Sequence, residues 1–200
     1  MPCYAIDGVI PVVHPTAHVH PTAVLIGDVH VGPGCYVGPC ASLRGDFGRI
    51  VLEEGSNVQD TCVIHGFPDS TTVIEPNGHV GHGAVLHGCI IRHDALVGMN
   101  AVVMDEAEVG AYSIVAACAF VRAGQILPEK SLVAGLPAKV LRALTEDEIR
   151  WKREGTQAYQ DLTLRCHASM AEVQALPAAE PDRPQLQTGT VKSLLATRRV

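Results

Sequence analysis

Three histidines, His65, His82 and His87, are spaced so that two of them stack and the third stands apart. His65 and His87 each follow an aliphatic residue, Ile64 and Leu86, one coil apart in a six-residue repeat, so both belong to one outward column. His82 comes two residues after Val80 on a different face, where Asp60 stacks with it one coil earlier. Two stacked imidazoles can share one divalent ion, Zn²⁺ first, with Fe²⁺ or Co²⁺ equally suited to neutral nitrogen donors. His82 cannot reach that ion within its own chain. The spacing therefore predicts a homotrimer with a metal at each subunit interface, held by His65 and His87 of one protomer and His82 of the next. Such an ion lowers the pKa of bound water to about 7 and supplies hydroxide at neutral pH. Asp60 and its neighbour Gln59 are placed to orient that water. One histidine alone would read as an ordinary surface residue; three in this stacking favour the metal.

The repeat positions these groups. Aliphatic residues recur every six positions at Val13, Val19, Leu25, Val31, Val37 and Leu43, each followed four residues on by a small side chain such as Ala17, Ala23 or Ala41. Phe47 breaks that rule, and the phase slips by three across Arg44–Arg49 before resuming at Leu52, Val58 and Ile64. A loop from Phe67 to Thr72 precedes Ile74, Val80 and Leu86, and after a one-residue deletion the run continues from Ile91 to Val121. A period of six fits neither a helix nor an alternating strand. It fits an all-β solenoid of triangular section, a left-handed parallel β-helix whose sides are one hexapeptide each. The aliphatic residue points inward and the small one fills the corner. Eighteen aliphatic positions give about six coils. A β-sandwich would need alternation and hairpin turns, and neither is visible.

Of the 200 residues 47% are apolar but only 4% aromatic, which suits a narrow core of Val, Ile, Leu and Ala. A net charge of −6 without a basic cluster predicts no nucleic-acid partner. No apolar run approaches a membrane span, and no basic segment precedes an apolar one at the N-terminus, so the expected location is cytoplasmic. Of the seven cysteines, Cys35, Cys62 and Cys118 fall at or beside corner positions and read as reduced core packing.

The solenoid is expected to occupy 1–140. A capping box at Thr145–Glu148 opens a helix from about Glu146 to about Glu172, with a possible break at Gly155-Thr156. Ile149, Trp151, Tyr159, Leu162 and Met170 would pack that helix, within a segment 141–175, against the solenoid or a neighbouring subunit. Residues 176–200, with Pro177, Pro181 and Pro184, read as a flexible tail. His14, His18, His20, His30, His93 and His167 lack a stacked partner and read as surface residues, while His79 lies near enough to support the site. Arg44 and Asp46 read as an ion pair at the trimer interface.

Arg44-Gly45-Asp46, Gln59-Asp60, His65-Gly66, Gly81-His82 and Leu86-His87-Gly88-Cys89 resemble the motif set of the γ-class carbonic anhydrases and their homologues. The resemblance implies a trimeric left-handed β-helix with zinc ligands His65, His82 and His87 drawn from two protomers. It implies Arg44 and Asp46 at the interface and Gln59 and Asp60 beside the solvent. It also implies Tyr159 reaching the site from the C-terminal helix. Within residues 1 to about 170 the chain also resembles the phenylacetate-degradation branch of that family, the PaaY proteins. That similarity rests on Arg44–Ile50, His65–Pro68, Leu96–Asp105 and Trp151-Lys152. The branch implies hydrolysis of an acyl-CoA thioester. Phe47 stands where the prototype carries an acidic residue, and the Gly66–Asp69 loop has little acidity, so the proton exit needed for rapid CO₂ hydration is missing. Carbonic anhydrase activity therefore ranks second. A non-catalytic trimer or a hexapeptide acyltransferase is the alternative from another class.

Overall fold

In the computed structural model, which describes residues 1–186 and residue 196, the repeat closes into three ladders of parallel strands. Each ladder stacks one class of aliphatic position. Leu25, Leu43, Ile64, Leu86, Val103 and Val121 pair in succession along the first side. Val13, Val31, Leu52, Ile74, Ile91, Val109 and Leu127 line the second. Val19, Val37, Val58, Val80, Val97, Val115 and Val133 line the third. Nearly all are fully buried, and Ala23, Ala41, Cys62, Ala84, Ala101 and Ala119 fill the corners between them. Short inward side chains in register are what allow adjacent coils to approach to strand spacing. The fold is a left-handed β-helix.

It has about seven turns rather than six. The expected run stopped at Val121, but Leu127 and Val133 continue it as buried positions. The phase slip also has a structural form. Strand Ser42–Leu52 pairs with Val24–Val31 through Gly27–Gly45 and then Val29–Ile50, so Asp28 alone faces the four residues 46–49. The loop is shorter than its sequence suggests, because Thr71 and Thr72 already belong to strand Thr71–Ile74.

Corner residues Thr61, Asn100 and Cys118 have φ near +60°, and the N–H of each donates to the coil below. Cys118 thus stands outside the turn, with Ala119 pointing inward. It is an exposed thiol, not core packing, whereas Cys35 and Cys62 are buried as expected. Burial pushes the Cys62 thiol up to about 11.

The solenoid ends in an antiparallel hairpin, Ser131–Gly135 against Ala138–Ala143, so position 140 falls inside a strand rather than at a boundary. The helix Glu146–Ser169 opens with the expected capping box and runs through Gly155-Thr156 unbroken. Its buried stripe is Ile149, Lys152, Thr156 and Thr163, at helical spacing but mostly polar. Trp151, Tyr159 and Leu162 are half-buried, and Met170 lies exposed beyond the last turn. Lys152 Nζ donates to the Asn77 carbonyl at 2.7 Å, and burial brings its pKa down to about 8 despite Asp94 nearby. Residues 176–186 are exposed; the remainder of the expected tail, apart from residue 196, lies outside the described residues. No helix among the described residues is long and apolar enough to cross a membrane.

Candidate functional site

His65 and His87 pair directly across strands Val63–His65 and Val85–His87. Their facing nitrogens, His65 Nδ1 and His87 Nε2, are 3.1 Å apart. On its far side each ring meets a carboxylate. His65 Nε2 lies 3.1 Å from Asp46 Oδ1, and His87 Nδ1 lies 2.5 Å from Asp105 Oδ1. A carboxylate accepts, so each of these ring nitrogens carries the proton and the opposite nitrogen presents a lone pair. Two lone pairs then face one another across 3.1 Å. They repel unless an electrophile, a proton or a metal ion, stands between them. Two nitrogens at about 2.05 Å from one tetrahedral zinc are about 3.3 Å apart, so the spacing suits neighbouring ligands of a single ion.

Arg44 Nη1 donates to both oxygens of Asp46 at 3.0 and 2.9 Å. Desolvation raises the Asp46 carboxyl, but the hydrogen bonds from Arg44 and His65 and the guanidinium charge outweigh it and hold the group below its ordinary range. Asp46 therefore stays ionised, holding Arg44 with one hand and His65 with the other. Asp105 was not foreseen. It follows Met104, the residue that the strand register places one coil after His87, so the coil count alone stops one residue short of it.

His82 repeats the pattern at the corner that precedes this strand face. Its Nδ1 lies 2.5 Å from Asp60 Oδ2, as the stacking predicts, leaving the Nε2 lone pair to accept from the Tyr159 hydroxyl at 3.5 Å. Between His82 and His87 the chain crosses the whole face, a path of roughly 15 Å for five residues of extended chain. Among the described residues no group of three or more His, Cys, Asp or Glu in one chain could hold an ion. The three imidazoles are divided two and one. Each is backed by a carboxylate that fixes its tautomer, as histidine ligands of metals usually are. The His65–His87 pair fits two neighbouring ligands of one divalent ion, and His82 stands apart from that pair.

Gln59 lies beneath the helix, 3% exposed, with its amide donating to Asn57 at 3.0 Å and meeting His79 Nε2 at 2.7 Å. It faces the helix while Asp60 is partly exposed to solvent. Thr156 and the Tyr159 ring close over His79. Burial, with the charges of Lys152 and His82, lowers its pKa to about 3, so this imidazole stays neutral in the fold. The folded value lies below the unfolded one, so the resulting stability is complete above about pH 6.5 and is lost as pH falls toward 3. His79→Gln is expected to remove roughly 3 kcal/mol of the stability difference between pH 7 and pH 4. Urea melts of both proteins at the two pH values check this; equal pH slopes would refute it.

Burial also pushes the Tyr159 phenol up to about 12, so it carries its proton at neutral pH. His18 departs from expectation. It is 7% exposed, stacks on Tyr36 at 5.6 Å and meets His167 edge-on, so it is part of the helix seat rather than the surface. Its packing comes from the helix, which a coil count cannot see. His14 and His20 bond Thr16 and Thr22, and His30 pairs with Asp28, away from the three site histidines.

No family model matches the chain. The carnitine operon protein CaiE of Escherichia coli O7:K1 is 56% identical over 190 residues, spanning 95% of this chain and 97% of the relative. The Salmonella agona CaiE is 55% identical over a similar span, 95% and 96%. The chain belongs to the CaiE family of hexapeptide-repeat proteins. Among solved structures, a hexapeptide transferase family protein from Anaplasma phagocytophilum superposes with a TM-score of 0.79 at 36% identity, covering 82% of this chain and 97% of that one. A Bacillus cereus protein described as a candidate acetyltransferase gives 0.82 at 30% identity, covering 83% and 96%. These relatives carry a carnitine operon name, and they do not show the phenylacetate branch that the motifs suggested.

Proposed function

We propose that the chain is a metal-dependent acyl-CoA thioesterase acting as a homotrimer in the cytoplasm, its ion, Zn²⁺ by preference, held by His65 and His87 of one subunit and His82 of the next. The facing lone pairs of His65 and His87, enforced by Asp46 and Asp105, carry this reading. When bound, the ion supplies Lewis acidity toward water and toward a carbonyl oxygen. The chain's own groups do the rest. Asp60 keeps the proton of His82 on Nδ1, so Nε2 stays a donor atom. Tyr159, protonated and 3.5 Å from that nitrogen, is placed to donate a hydrogen bond to a substrate oxygen. Gln59 braces the His79 layer beneath it. Water adds to the thioester carbonyl, the C–S bond breaks, and the departing sulfur leaves as CoA thiol with one of the water's protons.

The acyl group is open between two sources. The motifs of the PaaY branch support ring-derived thioesters of phenylacetate breakdown, and the relatives' name supports thioesters from carnitine metabolism. A second reading, acyl transfer, draws support from the hexapeptide transferase relative. CO₂ hydration would use the same donors, but Phe47 and Phe67 border them where a proton exit would need acids.

Free-thiol release from a panel of acyl-CoAs, by chelated and zinc-loaded protein with and without an amine acceptor, separates these readings. The expected result is zinc-dependent thiol release with the free acid as product. No thiol release in any form, or undiminished release after chelation, refutes the thioesterase. An acylated amine as product establishes transfer instead.

A further inference from the structure

Two segments insert residues into the hexapeptide rhythm, the residues 46–49 that slip the phase and the loop between His65 and Thr71, and each carries an exposed phenylalanine. Phe47 is 61% exposed and packs on His65 with ring centroids 5.4 Å apart. Phe67 is 60% exposed and meets His87 edge-on at 5.0 Å. The chain has three phenylalanines in all. Two of them thus stand in solvent, each against one of the two stacked histidines.

Their placement is built. Gly48 lets the two segments meet, since a Cβ there would lie 2.6 Å from the Phe67 carbonyl oxygen and 2.7 Å from that of Ser70. The Arg49 N–H donates to the Ser70 carbonyl at 3.1 Å, which ties one insertion to the other. Ser70 Oγ donates to the Phe67 carbonyl at 2.6 Å, and Thr72 Oγ1 donates to the His65 carbonyl at 3.0 Å. Gly88 N–H in turn donates to Thr72 Oγ1, so the loop is pinned to both histidine strands. The backbone carries two insertions in its repeat, and each sets an apolar ring against one of the two stacked imidazoles. An anchored aromatic surface in solvent beside polar donors is the usual composition of a site for a ligand with one apolar and one reactive end.

We infer that Phe47 and Phe67 form the wall that receives the acyl group, and that they select apolar acyl chains of several carbons or an aromatic ring over acetyl. This rests on the thioesterase reading for its substrate, but its test does not depend on turnover. Phe47→Ala, Phe67→Ala and the double variant are compared with the parent protein, zinc-loaded, on acetyl-, hexanoyl- and phenylacetyl-CoA. Binding of the non-hydrolysable ethyl and hexyl thioethers of CoA is measured by calorimetry, and trimer mass and zinc content are recorded. For hexanoyl- and phenylacetyl-CoA, kcat/KM is expected to fall about tenfold for each ring and about 100-fold for both, with acetyl-CoA changed less than about threefold. The parent is expected to bind the hexyl thioether at least about tenfold more tightly than the ethyl one, and the double variant to lose that preference.

Loss of the preference without any thioester turnover would leave the acyl wall standing and sink only the hydrolysis. Equal affinity of the parent for both thioethers, or no binding of either, overturns the inference. So does a preference that survives in the double variant, or equal losses on acetyl-CoA. Dissociation of the trimer in the variants would also overturn it, because the rings would then be subunit contacts.

Discussion

Replacing any one of His65, His82 or His87 by alanine is expected to cut bound zinc below about a tenth of the parent level and thiol release by about 1000-fold or more. The three imidazoles point outward, and none belongs to the interior columns of Leu25, Val19 or Val13. The solenoid should therefore survive each change, with a denaturation midpoint near that of the parent. Zinc per chain by atomic absorption, read beside the far-ultraviolet spectrum, separates loss of a ligand from loss of the fold. A variant with parental zinc would remove that histidine from the set. The His82 variant is the sharpest of the three, because no side chain of its own protomer brings it near His65 and His87.

The carboxylates behind the histidines should matter almost as much. Asp60 and Asp105 can only accept, so each forces the proton onto Nδ1 of its histidine and leaves Nε2 as the donor atom. An amide can present its NH₂ instead, and the ring is then free to take the opposite tautomer. Asp60→Asn and Asp105→Asn are each expected to weaken zinc binding about 10- to 100-fold, with little change in folding. Competition against a chromophoric chelator measures this directly. Asp46→Asn should do more, since Asp46 also holds Arg44 through both carboxylate oxygens. Unchanged affinity in all three would mean that these aspartates serve the solenoid and not the ion.

Much of this was legible because a β-helix turns sequence spacing into vertical stacking. The period of six located the inward valines and leucines, and counting coils put His65 under His87 and Asp60 under His82. The three-residue slip at 46–49 was visible as a break in phase before its shape was known. Where the periodicity ended, so did the foresight. The closing hairpin at 131–143 obeys antiparallel pairing, which the hexapeptide rule cannot express. Beside the buried Ile149, the helix seats itself through Lys152 and Thr156, whose partners are the Asn77 carbonyl and His79, so an apolar stripe alone does not describe its seat. His18 owes its burial to that same helix. Asp105 lies one residue beyond Met104, the position that the coil count sets over His87, so the count alone misses it.

The central claim is that each site takes two histidines from one subunit and one from the next. The most direct test mixes two inactive variants, His82→Ala and His87→Ala, by co-refolding at equal amounts. In a mixed trimer one of the three interfaces joins an intact His65–His87 pair to an intact His82, and random assembly makes three-quarters of the trimers mixed. Zinc content and thiol release should both return to about one quarter of the parent level, from near zero in either variant alone. If all the ligands of a site came from one chain, no mixture could rebuild one. Values that stay at the level of the separate variants, in trimers shown by mass to be mixed, would contradict the shared site.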